Sequence, residues 1–468
     1  MGRKFNDKQK ECITFDENRP LLIEAGPGAG KTFVLTERVK CLLERGADPE
    51  SFLVITFTIK AANELKLKLS NMDIPEKDIN KMQISTIHSF CLKLLEGTDK
   101  ENFQIYEDEQ KMMFLRKHMK DLGFENEAYA SKSRDALSIL KKFDEYSAFG
   151  VKTPELVEYI KNNFPISEDY VNFVNEEMEK YHRFPKSKKL NREKYTDDWY
   201  NAKYLQIAKS YPKYREFMCK EEVTDFNLIQ YDALEVLKED SDRIYTNVLI
   251  DEFQDTDPIQ MEIFEILLKN AIDKGGSFTA VGDPDQSIYG FRGSIDNYFD
   301  YMCEKYDNLE KINLECNYRS TCDIIALGES FIENQRSDDE KHLKSARKVS
   351  KDAFYSINES WADQALETSR IIKHLHDTQN LSYNDFAVLC RSVKNTDVKT
   401  LVQVFKEQGI PYQVKGSDDL KDTDEIRSLF TLLHFLVQDD EPSSFKREDL
   451  MNFIGCDFNQ VLVDLSCE

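Results

Sequence analysis

Lys31 and Thr32 close the stretch Ala25-Gly26-Pro27-Gly28-Ala29-Gly30-Lys31-Thr32. A lysine and a hydroxyl placed after spaced glycines are the groups that hold a polyphosphate. The spacing is that of a P-loop, with Ala25 at a first position where glycine is usual. Gly28 and Gly30 let the backbone approach an anion and turn its N–H groups toward it. Lys31 can reach the terminal phosphates as a point charge, and Thr32 can offer its hydroxyl to Mg²⁺. A second reactive cluster is Asp251-Glu252-Phe253-Gln254-Asp255. Adjacent carboxylates after an apolar run are costly unless a cation or a reaction needs them. Asp251 would hold Mg²⁺, directly or through water, and Glu252 would be the base that orients and deprotonates an attacking water.

Other residues complete this chemistry. Gln286, in Val281-Gly282-Asp283-Pro284-Asp285-Gln286, is placed to sense a γ-phosphate. Arg319, in Cys316-Asn317-Tyr318-Arg319-Ser320, can stabilise charge on a transferred phosphoryl group. Gln9 precedes the P-loop strand, and its carboxamide can donate to and accept from an adenine edge. Tyr289, Phe291 and Arg292 interleave aromatics with a cation, a pattern suited to stacking on unpaired bases. Taken singly, Gln9, His88 and Arg319 also fit solvated or structural roles. The basic run from Arg183 to Lys194 fits either a solvated loop or a phosphate-contacting patch.

These residues need a scaffold that brings them to one edge. Pro20–Ile23, Phe52–Thr58, Gln83–Thr86, Val248–Ile250 and Ser277–Gly282 are short apolar runs, and Lys60–Leu69 and Cys91–Leu95 read as helices between them. Strand and helix in alternation predict an α/β fold with a parallel sheet. Ligands of such a sheet sit at the C-terminal ends of its strands, where Phe57, Lys60, Thr86 and His88 would lie. From about residue 99 to 221, charged Tyr- and Phe-rich helical segments replace the strands, as in a helical insertion.

The bulk numbers bound the partners. A chain of 468 residues exceeds one core. Its net charge of −23 is uneven: residues 1–100 hold 16 basic and 15 acidic residues, residues 101–220 hold 22 and 21, and the remainder hold 25 and 50. A near-neutral first half leaves room for a nucleic-acid groove that leans on stacking and backbone contacts. No apolar run approaches the ~18 residues of a membrane span, and Met1–Asn6 fits neither a signal peptide nor a myristoylation site. Ten cysteines without a Cys-x-x-Cys pair point to reduced thiols and a cytoplasmic setting.

In order and rough spacing, AGPGAGKT, ITFTIKAANE, ISTIHSFCLKLL, VLIDEFQDTDPIQ, VGDPDQSIYGFRGS and LECNYRS resemble the motifs of the UvrD/Rep family of superfamily 1 DNA helicases. Asp225-Phe226-Asn227, Phe386–Ser392 and Gln408–Tyr412 fit as well, so the resemblance runs from about residue 5 to about 437. It implies a P-loop RecA-like domain with a helical insertion, followed by a partial second RecA-like domain. The implied divisions are 1–98 and 222–304 for the first domain, 99–221 for the insertion, 305–437 for the second domain and 438–468 for the start of a further helical insertion. It implies ATP with Mg²⁺ between the domains, single-stranded DNA across their tops, and movement 3′ to 5′ toward single-strand/duplex junctions. By the same resemblance Gln9 and Tyr318 contact adenine, residues Ala25 to Thr32 the phosphates, and Gln286 and Arg319 the γ-phosphate. Phe57, Lys60, Thr86, His88, Tyr289, Phe291 and Arg292 line the DNA path. Ile59, Phe33 and Phe291 depart from the family's usual Asn, Arg and Trp. Two late family motifs, a His-x-x-Lys-Gly-Leu-Glu-Phe-like stretch and a Thr-Arg-Ala-like helix, are not found, so the chain is expected to be an N-terminal portion. Two other readings stay open: a nucleotide-gated DNA-binding protein, and the motor of a helicase–nuclease whose nuclease lies elsewhere.

Overall fold

The computed structural model describes residues 5–15, 18–124, 133–150, 153–181, 192–239, 245–287, 298–332, 343–347, 356–393 and 395–414. The chain forms two compact units, Met1–Ala353 and Phe354–Glu468. The first is built on a six-stranded sheet of β1 (Leu21–Ala25), β2 (Phe52–Thr56), β3 (Gln83–Thr86), β4 (Asn247–Ile250), β5 (Ser277–Gly282) and β6 (Glu310–Leu314). The spatial order is β3-β2-β4-β5-β1-β6, and every neighbouring pair is parallel.

The four inner strands are buried along their length because both faces are covered. Leu21, Ile23 and Ala25 of β1 face one core, shared with Val34, Leu35 and Val39 of α2 (Lys31–Glu44) and Leu65 and Leu69 of α3 (Ile59–Ser70). Leu22 faces the other core. There it meets the apolar sides of α4 (Ile87–Leu95), α5 (Phe226–Glu239) and α6 (Pro258–Asp273). Helix α3 begins one residue, and α4 four residues, earlier than the sequence reading places them, and the cause is local. The Thr58 hydroxyl accepts from the Ala61 amide at 3.0 Å, and the Thr86 hydroxyl from the Ser89 amide at 3.3 Å. Each threonine caps its helix as the strand ends.

The sequence reading begins a second domain at residue 305. Glu310–Leu314, just past that boundary, pairs with Leu21–Ala25 along the edge of the sheet, where β1 offers a row of backbone groups to satisfy. Between β3 and β4 the chain leaves the sheet for helices Asp108–His118, Ser133–Ala148, Thr153–Asn163, Glu168–Tyr181 and Arg192–Lys220. Their core of Phe114, Phe143, Tyr211, Tyr214 and Met218 is separate from both sheet cores. A short parallel ladder, Gln104–Ile105 with Val223–Thr224, closes the excursion where it leaves and returns. Residues 183–191 of the basic run lie outside the described residues.

In the second unit, helices Trp361–Gln379 and Thr396–Glu407 pack through Ile372, Phe405 and Ile410. Among its described residues there is no strand: Phe386–Ser392 runs without a ladder. No described helix is long and apolar enough to cross a membrane.

Candidate functional site

The C-terminal edge of the sheet collects the reactive residues, because the loops after all six parallel strands leave it side by side. The loop after β1 is the P-loop. Gly28 and Gly30 have φ of +70° and +92°, left-handed values that a side chain would strain. Space is the second constraint: a Cβ at Gly28 would come within 2.7 Å of both the Arg319 Cβ and the Asn317 Oδ1. Helix α2 starts at Lys31 with no side-chain cap, so its first N–H groups face the loop.

The loop after β4 brings Glu252 to Lys31, with Oε2 3.0 Å from Nζ. Glu252 has a left-handed backbone, φ 52° and ψ 47°, unusual for a non-glycine residue. Its Oε2 also accepts from Gln254 Nε2 at 2.9 Å. The buried Gln254 in turn accepts from the Asp283 amide at 2.9 Å through Oε1, so one amide ties the acidic loop to the loop after β5. There Gln286 donates to the buried Asp283 carboxylate. Burial, with the Glu252 charge beside it and Lys31 opposing, pushes the Asp251 carboxyl up to about 6. Thr32 and Asp251 offer hard oxygen donors, and a half-buried carboxylate held above its ordinary range is one that a cation would relieve. The pair therefore fits Mg²⁺ held by few protein ligands and by substrate phosphates.

This shift has a stability sign. The folded value of about 6 lies above the ordinary 3.8, so the folded chain holds the proton more tightly than the unfolded chain. The ionised group costs stability above about pH 6, and the cost is relieved as pH falls from about 6 to about 4. Without nucleotide or Mg²⁺, Asp251→Asn is expected to raise unfolding stability at pH 7.5 by about 1–2 kcal/mol, less than for a fully dry carboxylate. Urea unfolding at pH 7.5 and pH 5 measures it. A variant equally destabilised at both would contradict the stated cause.

The loop after β6 carries Asn317, Tyr318 and Arg319 onto the P-loop. Asn317, 1% exposed, donates to the Pro27 carbonyl at 2.5 Å and accepts from the Arg319 and Ser320 amides at 2.8 Å each. The Tyr318 amide donates to the Gly28 carbonyl at 2.9 Å. Its hydroxyl accepts from Asn6 Nδ2 at 2.9 Å. Asn6 caps α1 (Asp7–Thr14) in a capping box with Gln9. Gln9 is buried, with Nε2 donating to the Ala29 carbonyl at 3.2 Å and Oε1 accepting from the Asn6 amide at 3.3 Å. Gln9, Tyr318, Arg319 and the P-loop thus form one contiguous cluster. Sequence reasoning missed Asn317 and Gln254 as members; their contacts cross 290 and 29 residues.

At the adjacent strands β2 and β3, Phe57 and Ile59 are exposed, and Lys60 is exposed beside Glu64. Thr86 is buried and serves as the α4 cap. His88 packs edge-on against Phe226, ring centres 5.0 Å apart, and Phe226 is itself exposed. Phe226 belongs to this surface; its signal in the sequence was the Asp225-Phe226-Asn227 stretch. Tyr289, Phe291 and Arg292 lie outside the described residues.

The UvrD/REP helicase N-terminal domain model matches residues 5–307. The chain belongs to the UvrD/Rep helicase family. The UvrD-like helicase C-terminal domain matches residues 312–465. That match overturns the expectation that the family's late part is missing here: similarity to the C-terminal domain continues past residue 437, to residue 465. Curated relatives in this UvrD/Rep set include the ATP-dependent DNA helicase srs2 of Schizosaccharomyces pombe, 29% identical over 94% of this chain and 47% of that protein. The ATP-dependent DNA helicase UvrD1 of Mycobacterium tuberculosis is 28% identical over 95% and 54%. The ATP-dependent DNA helicase PcrA of Staphylococcus epidermidis is 26% identical over 96% and 56%. The chain spans about half the length of these relatives.

Proposed function

We propose that this chain belongs to an ATP-dependent DNA helicase or translocase that couples ATP hydrolysis to 3′ to 5′ movement on single-stranded DNA and opens duplexes at junctions. The observation that carries the reading is the Lys31–Glu252 contact inside the P-loop, acidic-loop and Arg319 cluster. The relatives' shared description as ATP-dependent DNA helicases supports it. The P-loop amides and Lys31 bind the phosphates. Thr32 and Asp251 would hold Mg²⁺, which when bound neutralises phosphate charge. Glu252 takes the proton of the attacking water. Gln286 and Arg319 act at the γ-phosphate, and Gln9 and Tyr318 at the adenine. Residues 1–98 and 222–304, extended by β6, form the first RecA-like domain, with 99–221 inserted in it. Single-stranded DNA contacts the exposed Phe57, Lys60 and Phe226 with His88 beside them, and Tyr289, Phe291 and Arg292 are assigned to the same path by the family resemblance alone. The setting is cytoplasmic, in DNA repair, recombination or defence.

Steady-state ATP hydrolysis with and without single-stranded DNA tests this directly. DNA-stimulated turnover that Lys31→Ala abolishes is the expected result; turnover indifferent to DNA would sink the translocase reading. Stacking on an aromatic side chain stabilises a bound base by ~1–3 kcal/mol. Phe57→Ala and Phe226→Ala are each expected to weaken oligo-dT binding correspondingly, read by fluorescence anisotropy. Unchanged affinity in both would move the strand to another surface.

A further inference from the structure

Both ends of the buried Asn317 amide are engaged. Nδ2 donates to the Pro27 carbonyl at 2.5 Å, and Oδ1 accepts from the Arg319 and Ser320 amides at 2.8 Å each. The partners settle the orientation. A carbonyl only accepts and a backbone amide only donates, so the reversed side chain would lose all three bonds. The residue type follows from the same contacts. An ionised aspartate would set an oxygen against the Pro27 carbonyl. Serine can accept from the two amides but is too short to reach Pro27.

The backbone of Arg319 is held from its other side as well. Lys344–Ser345 pairs in parallel with Cys316–Asn317. From that segment the Ser345 hydroxyl donates to the Ser320 carbonyl at 2.8 Å, and Arg347 Nη1 to the Arg319 carbonyl at 2.9 Å. The segment also reaches the P-loop: a Cβ at Gly26 would come within 2.5 Å of Leu343 Cδ2. Both backbone polar groups of Arg319 are thus bonded, while the residue as a whole stays exposed. Its main chain is fixed and its side chain projects from a fixed point.

We propose that Asn317 is a positioning residue for Arg319. With Arg347 bracing the far side, it ties the main chain of the arginine to the P-loop, so the loop that holds the phosphates also sets where the guanidinium can reach. The proposal rests on the reading above that Arg319 acts at the γ-phosphate. An arginine side chain has many rotamers, and ordering it is costly. Anchoring its backbone to the phosphate loop removes part of that cost before the reaction and brings the charge in pre-aligned.

The test compares the binding of ADP with that of ADP plus aluminium fluoride, a mimic of the phosphoryl group in transfer. It uses the whole chain with Mg²⁺ and reads displacement of a fluorescent nucleotide, so it does not depend on turnover. A charge acting at the γ-phosphate tightens the mimic and not ADP. Arg319→Ala is expected to weaken the mimic by about 100-fold or more. Asn317→Ser keeps the acceptor for the two amides and gives up the Pro27 bond. It should weaken the mimic about tenfold while ADP affinity stays within about threefold. Added to Arg319→Ala it should cost nothing further, since its effect passes through a side chain no longer there. Parental binding of the mimic in Asn317→Ser overturns the proposal. An equal loss for ADP overturns it too, as does a second loss on the Arg319→Ala background, because either puts Asn317 in the architecture of the P-loop alone. If Asn317→Ser fails to fold, Arg347→Ala carries the same test from the exposed side, with the mimic alone weakened about threefold. Parental binding there overturns the proposal. Unchanged mimic binding in Arg319→Ala would instead refute the reading of Arg319 itself, and that single variant distinguishes the two failures.

Discussion

Glu252→Gln is expected to leave nucleotide binding in place and to lower ATP turnover by about 10²–10⁴-fold, the usual contribution of a positioned general base. The geometry makes this substitution clean. Glu252 Oε2 accepts from Lys31 at 3.0 Å and from Gln254 at 2.9 Å, and a glutamine carbonyl oxygen can accept from both. The left-handed backbone at Glu252 is the same demand on either residue. What glutamine cannot do is take a proton from water. Lys31→Ala should differ in kind: it removes the cation from the phosphate site, so binding itself falls. Single-turnover hydrolysis and a fluorescent-nucleotide titration separate the two. Turnover of Glu252→Gln within tenfold of the parent would mean that the base is another residue.

Arg38→Leu is expected to destabilise the first unit by about 3–5 kcal/mol. Arg38 is 1% exposed on α2. Its guanidinium donates to the carbonyls of Cys12 and Phe15 at 2.9 Å each and of Ile13 at 3.4 Å. It also bonds the hydroxyls of Thr279 at 2.8 Å and Ser277 at 3.2 Å. One side chain therefore ties the end of α1 to β5, and α1 carries Gln9 at its other end. Leucine fills much of the volume but leaves those carbonyl oxygens buried without a donor. The urea midpoint measures the loss, and amide exchange in α1 should rise with it. A cost below ~1 kcal/mol would show that water replaces the guanidinium at little expense.

The phosphate chemistry is legible in the residue types and their spacing. Strand, glycine turn, lysine and threonine are contiguous, and their spacing alone sets backbone direction, positive φ and helix start. The same holds for Asp251 and Glu252 at the end of an apolar run. The alternation of strand and helix was enough to predict a parallel sheet with its loops on one edge. Boundaries were less visible: Glu310–Leu314 has no local mark showing that it joins β1, because strand pairing is a choice among edges, not a property of five residues.

The sequence by itself determined the P-loop, the acidic pair and the helical excursion between them, since each is encoded in neighbouring residues. Only the tertiary structure decided which polar side chains serve them. Asn317 reaches Pro27, Asn6 reaches Tyr318, Gln254 bridges two loops, and Arg38 joins α1 to the sheet. These are asparagines, a glutamine and an arginine, side chains whose type fits a solvated surface as well as a buried network. Their meaning depends on which donors and acceptors lie within about 3 Å, and folding alone brings residues up to 312 positions apart to that distance.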